Sequence, residues 1–525
     1  MRTLAAIRIG RTLAASSKRI HNLSLKTVLL AGCGTILAGC AVGPDYQTPW
    51  PAMPAHWSEA EGTNPSRPLE LSRWWRRLHD PMLDQLMQQA VDGNLDVATA
   101  KARIREARAS YNQAVGALFP TVANNDSLTR AKASIFSQGA MAGTPAAGNT
   151  SSPFQSSLVG PYTLFQTGFD ASWELDLFGA NRRAVEAAAY GVDASDENLR
   201  NVLLTLVGDI ASNYVQARGY QARIALARRT AASQDETTQI TRNRLAAGSA
   251  SAVDLANATG QAATTRAAIP TLETAYAEAV HRLSVLTGQQ PTALESRLVN
   301  VAPIPVPKLP IPTGIPADIL LTRPDVRLAE RQYAQSTAKI GQADAALYPR
   351  VSLTGSIATA GTQLGDLGKN SSISWSFGPT LSVPIFNGGK LWAAVGIAQA
   401  QRDQYFVAYE ASVLAALRDV EDALVSLAKE RSRKRALASS VTAYRQAASL
   451  SQSLYKAGSS SFLDVLLAER SLYSAEDSLL QSHVLIATDY IALNKALGGG
   501  WNGLIDASKP EVVDRNTGPH LAQPD

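Results

Sequence analysis

Two short stretches of the chain alternate apolar and polar residues with a period of two. In one, Phe165, Phe169, Ala171, Trp173, Leu175 and Leu177 interleave with Gln166, Asp170, Glu174 and Asp176. In the other, Ile373, Trp375, Phe377, Leu381, Val383 and Ile385 interleave with Ser374, Ser376, Thr380 and Ser382. A two-residue period places the two sets on opposite faces of a β-strand. Each stretch is roughly ten to thirteen residues long, the length a tilted membrane strand requires. Partner strands are expected near residues 121–130 and 351–360. This reading makes two isolated hairpins, each with an unshielded edge.

Elsewhere the period is helical. Residues 82–115 contain no Pro and repeat Leu, Ile, Val and Ala at helical spacing, and Pro120 and Pro349 end the helices that precede each hairpin. No Pro occurs from Tyr162 to Ile269 or from Ile385 to Lys509, so a very long helix follows each hairpin. A helix over residues 180–245 would run roughly 100 Å at 1.5 Å per residue, and it needs lateral partners along its length. Both long helices end in matching breaks, Ala247-Gly248-Ser249-Ala250-Ser251 and Ala457-Gly458-Ser459-Ser460-Ser461. Gly suits the C-terminal cap and Ser the N-cap of a returning helix. The chain therefore turns back at two tips, each about 100 Å from the strands.

These parallels make the chain a duplication. Ala117-Leu118-Phe119-Pro120 corresponds to Ala346-Leu347-Tyr348-Pro349 at an offset of 229, and Leu177-Phe178-Gly179 to Ile385-Phe386-Asn387 at 208. Further on, Ala247-Gly248-Ser249 with Asp254 matches Ala457-Gly458-Ser459 with Asp464 at 210. The drop from 229 to 208 means about 21 extra residues in the first hairpin, within the Gly/Ser/Pro/Thr-rich stretch 134–160. A Pro-rich connector (Pro303, Pro305, Pro307, Pro310, Pro312, Pro316) joins the copies. The expected division is a leader at 1–39, an anchored segment at 40–81 and a first repeat at 82–300. The connector at 301–316, a second repeat at 317–500 and a tail at 501–525 complete it.

Composition sharpens this picture. Of the 525 residues 45% are apolar but only 6% aromatic, as suits long helices packed side by side. Six basic residues and no acid precede Cys40, and they exceed the whole net charge of +5. The remainder is formally −1, which excludes a basic nucleic-acid footprint. Basic residues up to Lys26, an apolar run over 27–37 and Leu37-Ala38-Gly39-Cys40 read as a lipoprotein signal, with Cys40 the acylated residue. Leu30-Ala31-Gly32-Cys33 matches the same pattern after a shorter apolar run. With both cysteines in this region, no disulfide framework or cysteine metal site follows. Beyond Cys40 no apolar run of about 18 residues exists, so a membrane crossing would need strands. Four strands cannot close a barrel, because the smallest membrane barrels use about eight, and open edges in lipid leave backbone groups unpaired. Several copies must pool them.

Several segments also resemble a known family. Cys40-Ala-Val-Gly-Pro-Asp45-Tyr46, Trp74-Trp75 and Asp80-Pro81 resemble the opening of outer-membrane lipoproteins of efflux systems. Ser172 to Gly179 followed by Arg182-Arg183 is similar to their second strand and its exit. Leu320 to Arg327, with Arg323-Pro324-Asp325 at its centre, looks like the start of their second repeat. On these motifs, which run from Cys40 to about Trp501, the chain resembles the TolC-like outer-membrane factors of the NodT lipoprotein type. The resemblance implies a mixed α/β membrane protein of two repeats, each a helix, a β-hairpin and a long helical hairpin. It implies a homotrimeric twelve-stranded β-barrel, anchored by lipid in the outer membrane of a Gram-negative bacterium and continued by a periplasmic α-helical barrel. It implies docking on a periplasmic adaptor and an inner-membrane transporter of the resistance–nodulation–division class. No cofactor is implied.

The same resemblance assigns the tips. Arg244, Leu245, Gly248 and Ser251, with Gly458 and Ser461, match the adaptor-contacting turns. Leu463, Asp464 and Leu467 match the rings that narrow the lumen. A closing latch in relatives joins Tyr and Arg of one tip to Asp of the other; Tyr455 and Asp254 match, but Ser460 stands at the Arg position. Gly and Ser are also ordinary turn residues, and Asp464 also suits a helix start. Glu174 and Asp176 resemble paired catalytic carboxylates, but strand alternation accounts for them, and no nucleophile motif or phosphate-cradling loop is present. His56, His79, His281 and His483 show no ligand spacing, so no metal site is expected. Alternative clients for the duct are metal ions, disfavoured by only five Met and six His, and exported proteins. A soluble helical scaffold is the rival of another class, and the apolar strand faces argue against it.

Overall fold

The computed structural model describes residues 41–57, 71–132, 161–307 and 322–505. The expected leader with Cys33, the expected acylation site Cys40, the stretch 134–160, part of the expected connector and most of the expected tail lie outside these residues. The first repeat contains α1 (Pro81–Gly93), α2 (Leu95–Gly116), β1 (Thr121–Ala131), β2 (Tyr162–Leu175), α3 (Ala180–Ala246), α4 (Ala252–Leu286) and α5 (Glu295–Leu298). The second contains α6 (Pro324–Ala345), β3 (Arg350–Gly361), β4 (Ile373–Ser382), α7 (Lys390–Lys456) and α8 (Phe462–Ala496). The two long helices have 67 residues each and the two returning helices 35 each.

Two expectations need correction. The helix expected over 82–115 is two helices, because Asn94 is extended and its Oδ1 accepts from the backbone of Asp96 at 2.9 Å and Val97 at 3.1 Å. That bonding caps a new helix rather than continuing the old one. The hairpins are also not isolated. β2 pairs antiparallel with β3, so the described strands form one sheet in the order β1-β2-β3-β4. Only the outer edges of β1 and β4 stay open.

Compactness divides the chain across its repeats rather than between them. Of the described residues, one unit gathers those within Ser110–Ala189 and Ala334–Asp403 with those up to Gln47; the other gathers those within Thr48–Ala109, Tyr190–Tyr333 and from Gln404 onward. We call them the sheet unit and the helical unit.

In the sheet unit the pairing registers sort side chains by face. Phe169 lies opposite Asn124 and Ile357, and Ile357 opposite Trp375; Val122, Ala171, Gly355 and Phe377 form another such row. The other face carries Asp170, Glu174, Ser352, Ser356, Ser376 and Thr380, with the hydroxyls of Ser356 and Ser376 2.8 Å apart. The apolar face is not covered: Trp375 is 77% exposed and Phe377 69%. An extended segment also packs in this unit. Arg183, almost fully buried, donates to the carbonyls of Val42 and Gly43 and pairs with Asp45 at 2.7 Å and Glu186 at 2.7 Å.

The helical unit holds the core. Trp74, Leu83, Leu86, Ile210, Tyr214, Leu283, Tyr490 and Ile491 are buried together. Asp80 caps α1 and accepts from the Tyr214 hydroxyl at 2.6 Å. Ion pairs tie the long helices laterally: Arg223 to Asp477 at 2.6 Å, Arg228 to Glu273 at 2.5 Å, and Arg445 to Glu476. Both repeats are closed at their roots by the same device. Gly288 abuts Gly93 with no room for a Cβ between them, and Gly498 abuts Thr322 likewise. Among the described residues no helix is long and apolar enough to cross a membrane.

Candidate functional site

The two tips lie side by side in the helical unit and are built alike. Gly248 and Gly458 adopt φ +77° and +82°, a left-handed conformation that ends a helix without Cβ strain. The backbone N–H of Ser249 returns to Arg244 O at 2.8 Å and that of Ser459 to Leu454 O at 2.9 Å. Ser251 and Ser461 then cap α4 and α8, each in a reciprocal box with Asp254 or Asp464. This gives the serines, glycines and aspartates a definite local role at every expected position.

The tips differ in what their side chains do next. Tyr455 is 4% exposed. Its hydroxyl donates to Thr241 Oγ1 at 3.2 Å, its carbonyl accepts from Arg244, and the Arg244 guanidinium stacks over its ring at 4.5 Å. Phe462 meets the same ring edge-on at 5.9 Å, and Val465 and Ala258 complete the cluster. Thus Tyr455 fastens the two tips of one chain together. The Asp254 carboxylate accepts from the Ser251 backbone at 3.0 Å. Thr241 and Phe462, the partners that make this fastening, were not legible as site residues; only their apolar or hydroxyl character near a break hinted at packing.

Asp464 accepts from the Ser461 hydroxyl at 2.8 Å, the Ser460 hydroxyl at 2.9 Å and the Ser461 backbone at 3.2 Å. These donors, the Ser461 side chain first, hold its pKa below the usual aspartate value. Leu463 and Leu467 flank it and are 56% and 52% exposed. The arrangement is a carboxylate, charged at neutral pH, between two exposed leucines at a helix start. It offers no proton at neutral pH.

The other acidic candidates resolve into structure. Asp176 lies past the end of β2, where its carboxylate accepts from the backbone of Asn181 at 3.2 Å and Arg182 at 2.8 Å. It starts α3 instead of lying on a strand face, a correction to the alternation. Arg323 is buried and forks onto Asp325, at 3.0 and 2.6 Å, while reaching Asp419 at 3.3 Å and Ala496 O at 3.2 Å. The Arg-Pro-Asp motif is therefore the root of the second repeat. No group of three or more potential metal ligands occurs among the described residues.

A sheet with one bare apolar face, long paired helices and twin tips can be compared with proteins of known role. The profile of the family described as "Outer membrane efflux protein" matches residues 86–289 and 315–499. The chain belongs to that family. It is 35% identical to Nodulation protein T of Rhizobium leguminosarum bv. trifolii over 475 residues, spanning 90% of this chain and 97% of that protein. It is 33% identical to the solvent efflux pump outer membrane protein SrpC of Pseudomonas putida over 473 residues, with 89% and 97% covered. Among solved structures, the outer-membrane channel OprN matches with a TM-score of 0.80 at 33% identity, covering 88% of this chain and 100% of that one. The open MtrE channel of Neisseria gonorrhoeae matches with a TM-score of 0.72 at 28% identity, with 88% and 99% covered. The chain is thus an outer-membrane efflux channel component of the NodT type, a transport duct and not an enzyme.

Proposed function

We propose that three copies of this chain pool their strands into a twelve-stranded barrel, continued by a periplasmic tube of long helices. Cys40 carries the lipid that holds the barrel's periplasmic end to the outer membrane. The duct passively releases solvents, drugs and other toxic small molecules that an inner-membrane transporter of the resistance–nodulation–division class delivers through a periplasmic adaptor. One observation carries the reading: the sheet is apolar and aromatic on one face, polar and acidic on the other, and open at both edges. Such a sheet is stable in lipid only when its edges are paired, since an unpaired backbone group there costs several kcal/mol. The relatives SrpC and TtgI are named for solvent and toluene efflux, which supports that substrate class.

In this assembly the tips close the far end of the tube. Leu463, Asp464 and Leu467 from three copies form the narrowest rings, with Asp464 holding cations and turning away anions. Tyr455 and Asp254 belong to the closed state, Tyr455 by keeping the tips of one chain together. Arg244, Leu245, Gly248, Ser251, Gly458 and Ser461 present the surface that meets the adaptor.

A deletion strain tests the whole. Loss of the gene should raise sensitivity to toluene, detergents or antibiotics, and the wild-type chain should restore resistance. Unchanged susceptibility to all of these, with altered metal tolerance instead, would replace the substrate class. In planar bilayers Asp464→Asn should lower the cation preference of the channel several-fold, and an unchanged preference would remove Asp464 from the gate.

A further inference from the structure

Within one chain the two repeats meet along β2 and β3, with Phe169 opposite Ile357 and Leu175 opposite Val351. Carried beyond the strand ends, the same register sets Phe178 opposite Tyr348, and these rings stack with centroids 4.7 Å apart and planes 18° apart. Each ring has a counterpart in the other repeat. Phe178 corresponds to Phe386 at the 208-residue offset, and Tyr348 to Phe119 at 229. The turns agree as well: the N–H groups of Leu118 and Phe119 bond Val115 O and Gly116 O, and those of Leu347 and Tyr348 bond Asp344 O and Ala345 O. Yet Phe386 is 91% exposed and Phe119 63%. They adjoin β4 and β1, which two other strands separate, so they cannot meet inside one sheet.

We propose that β4 of one copy pairs antiparallel with β1 of the next, in the register that β2 and β3 use within the chain. Phe386 then stacks on Phe119 of the partner subunit. The proposal rests on the reading that several copies share one barrel, and it names the seam between them. The transferred register sets Phe377 opposite Leu128 of the partner subunit, Leu381 opposite Asn124 of the partner subunit and Val383 opposite Val122 of the partner subunit.

An independent check comes from the faces. Within the chain Val122, Asn124 and Leu128 share the apolar face with Phe169, and so do Trp375, Phe377 and Leu381. The transferred register joins these two sets to each other, so the aromatic face runs unbroken across the seam. A shift by one residue would send Phe377 and Leu381 to the polar side. The long helices correspond at 210 residues, not 208, and the difference falls between Phe386 and Gly389. Aligning the strands at 210 would bring Gly388 to Phe119 of the partner subunit and leave its ring without a stacking partner. The hairpins themselves differ by two residues, with Thr121 opposite Ser172 but Arg350 opposite Ser382. The test must therefore resolve a two-residue slip.

Cysteine pairs do so. Directly opposed Cβ atoms on neighbouring strands lie about 4.5–5.5 Å apart and diagonal ones about 7–8 Å, so only the former oxidise readily. In full-length protein in outer membranes, Asn124→Cys with Leu381→Cys should yield covalent dimers and trimers on oxidation. Asn124→Cys with Val383→Cys lies on the same face but is slipped by two, and it should stay monomeric, as should each single variant. Equal or better linkage of the slipped pair overturns the register. So does failure of both pairs while a lysine-reactive crosslinker still traps oligomers. Absence of oligomers with either reagent sinks the multi-copy reading itself. For the rings, Phe119→Ala and Phe386→Ala should each lower the melting temperature of the detergent-extracted oligomer by several degrees. The double variant should fall no further than the weaker single; fully additive losses would overturn the stack.

Discussion

The roots of the two repeats have the same geometry and different chemistry. In the first, the Asn94 amide caps α2 and donates to Leu286 O at 2.9 Å. In the second, Arg323 stands at the corresponding position and donates to Ala496 O at 3.2 Å while it holds Asp325 and Asp419. Both side chains satisfy the carbonyl end of the helix that closes their own repeat. The duplication has kept the need, a donor aimed at a helix C-terminus, and changed the group that meets it. A neutral amide can be lost at modest expense, but a buried cation cannot, because its carboxylates remain behind.

Substitutions at the roots should separate these two solutions. Arg323→Ala leaves Asp325 and Asp419 without their shared partner and should destabilise the fold by about 3–5 kcal/mol, read from the urea midpoint of the detergent-solubilised protein. Arg323→Lys keeps the charge and loses the fork, and should fall between Ala and wild type. Next in size, Gly288→Ala forces a side chain against Gly93 O at φ +74° and should cost more than about 2 kcal/mol. Gly498→Ala, facing Thr322 O at φ +79°, should agree with it to about 1 kcal/mol if the roots are equivalent. Asn94→Ala should cost only about 1–2 kcal/mol, and a loss as large as that of Arg323→Ala would erase the contrast.

The smallest effect depends on pH. Asp489, near the second root, has its pKa pushed up to about 6, first by burial and then by Glu430. An aspartate that binds its proton more tightly when folded is destabilising when ionised, so stability falls as pH rises from about 4 through about 6. Asp489→Asn should therefore stabilise the protein at pH 7 by about 1 kcal/mol after solvent screening, with no advantage left below about pH 4. A gain that persisted unchanged at pH 4 would assign the effect to something other than this proton.

Much of the fold was legible because its signals are periodic. The strands were readable from alternation to within a few residues, and the end of α3 to within one, because Gly248 and Ser251 punctuate it. The join between β2 and β3 was not legible, since pairing of strands 175 residues or more apart in sequence leaves no local pattern. Nor was the break at Asn94: the apolar periodicity runs on through it, and one amide overrides the periodicity. At the tips, repeat matching found Asp254 and Asp464, and the family resemblance pointed to Tyr455, but neither showed that Tyr455 is bound to Thr241 and Arg244 across the chain. Asp176 was misplaced because alternation continued past the point where the backbone leaves the strand.

The glycines at the two ends of the returning helices have opposite surroundings. Gly288 and Gly498 at the roots are jammed against backbone, while Gly248 at a tip has nothing within 4 Å and Gly458 only the far end of Arg244. A lever moves usefully only if its fulcrum is stiff and its tip is free. A displacement that begins at a turn should therefore tilt the returning helices about their roots, where no extra carbon fits. Amide hydrogen exchange should be fast around 247–250 and 457–460 and slow around 283–288 and 493–498, and the reverse order would place the hinge elsewhere.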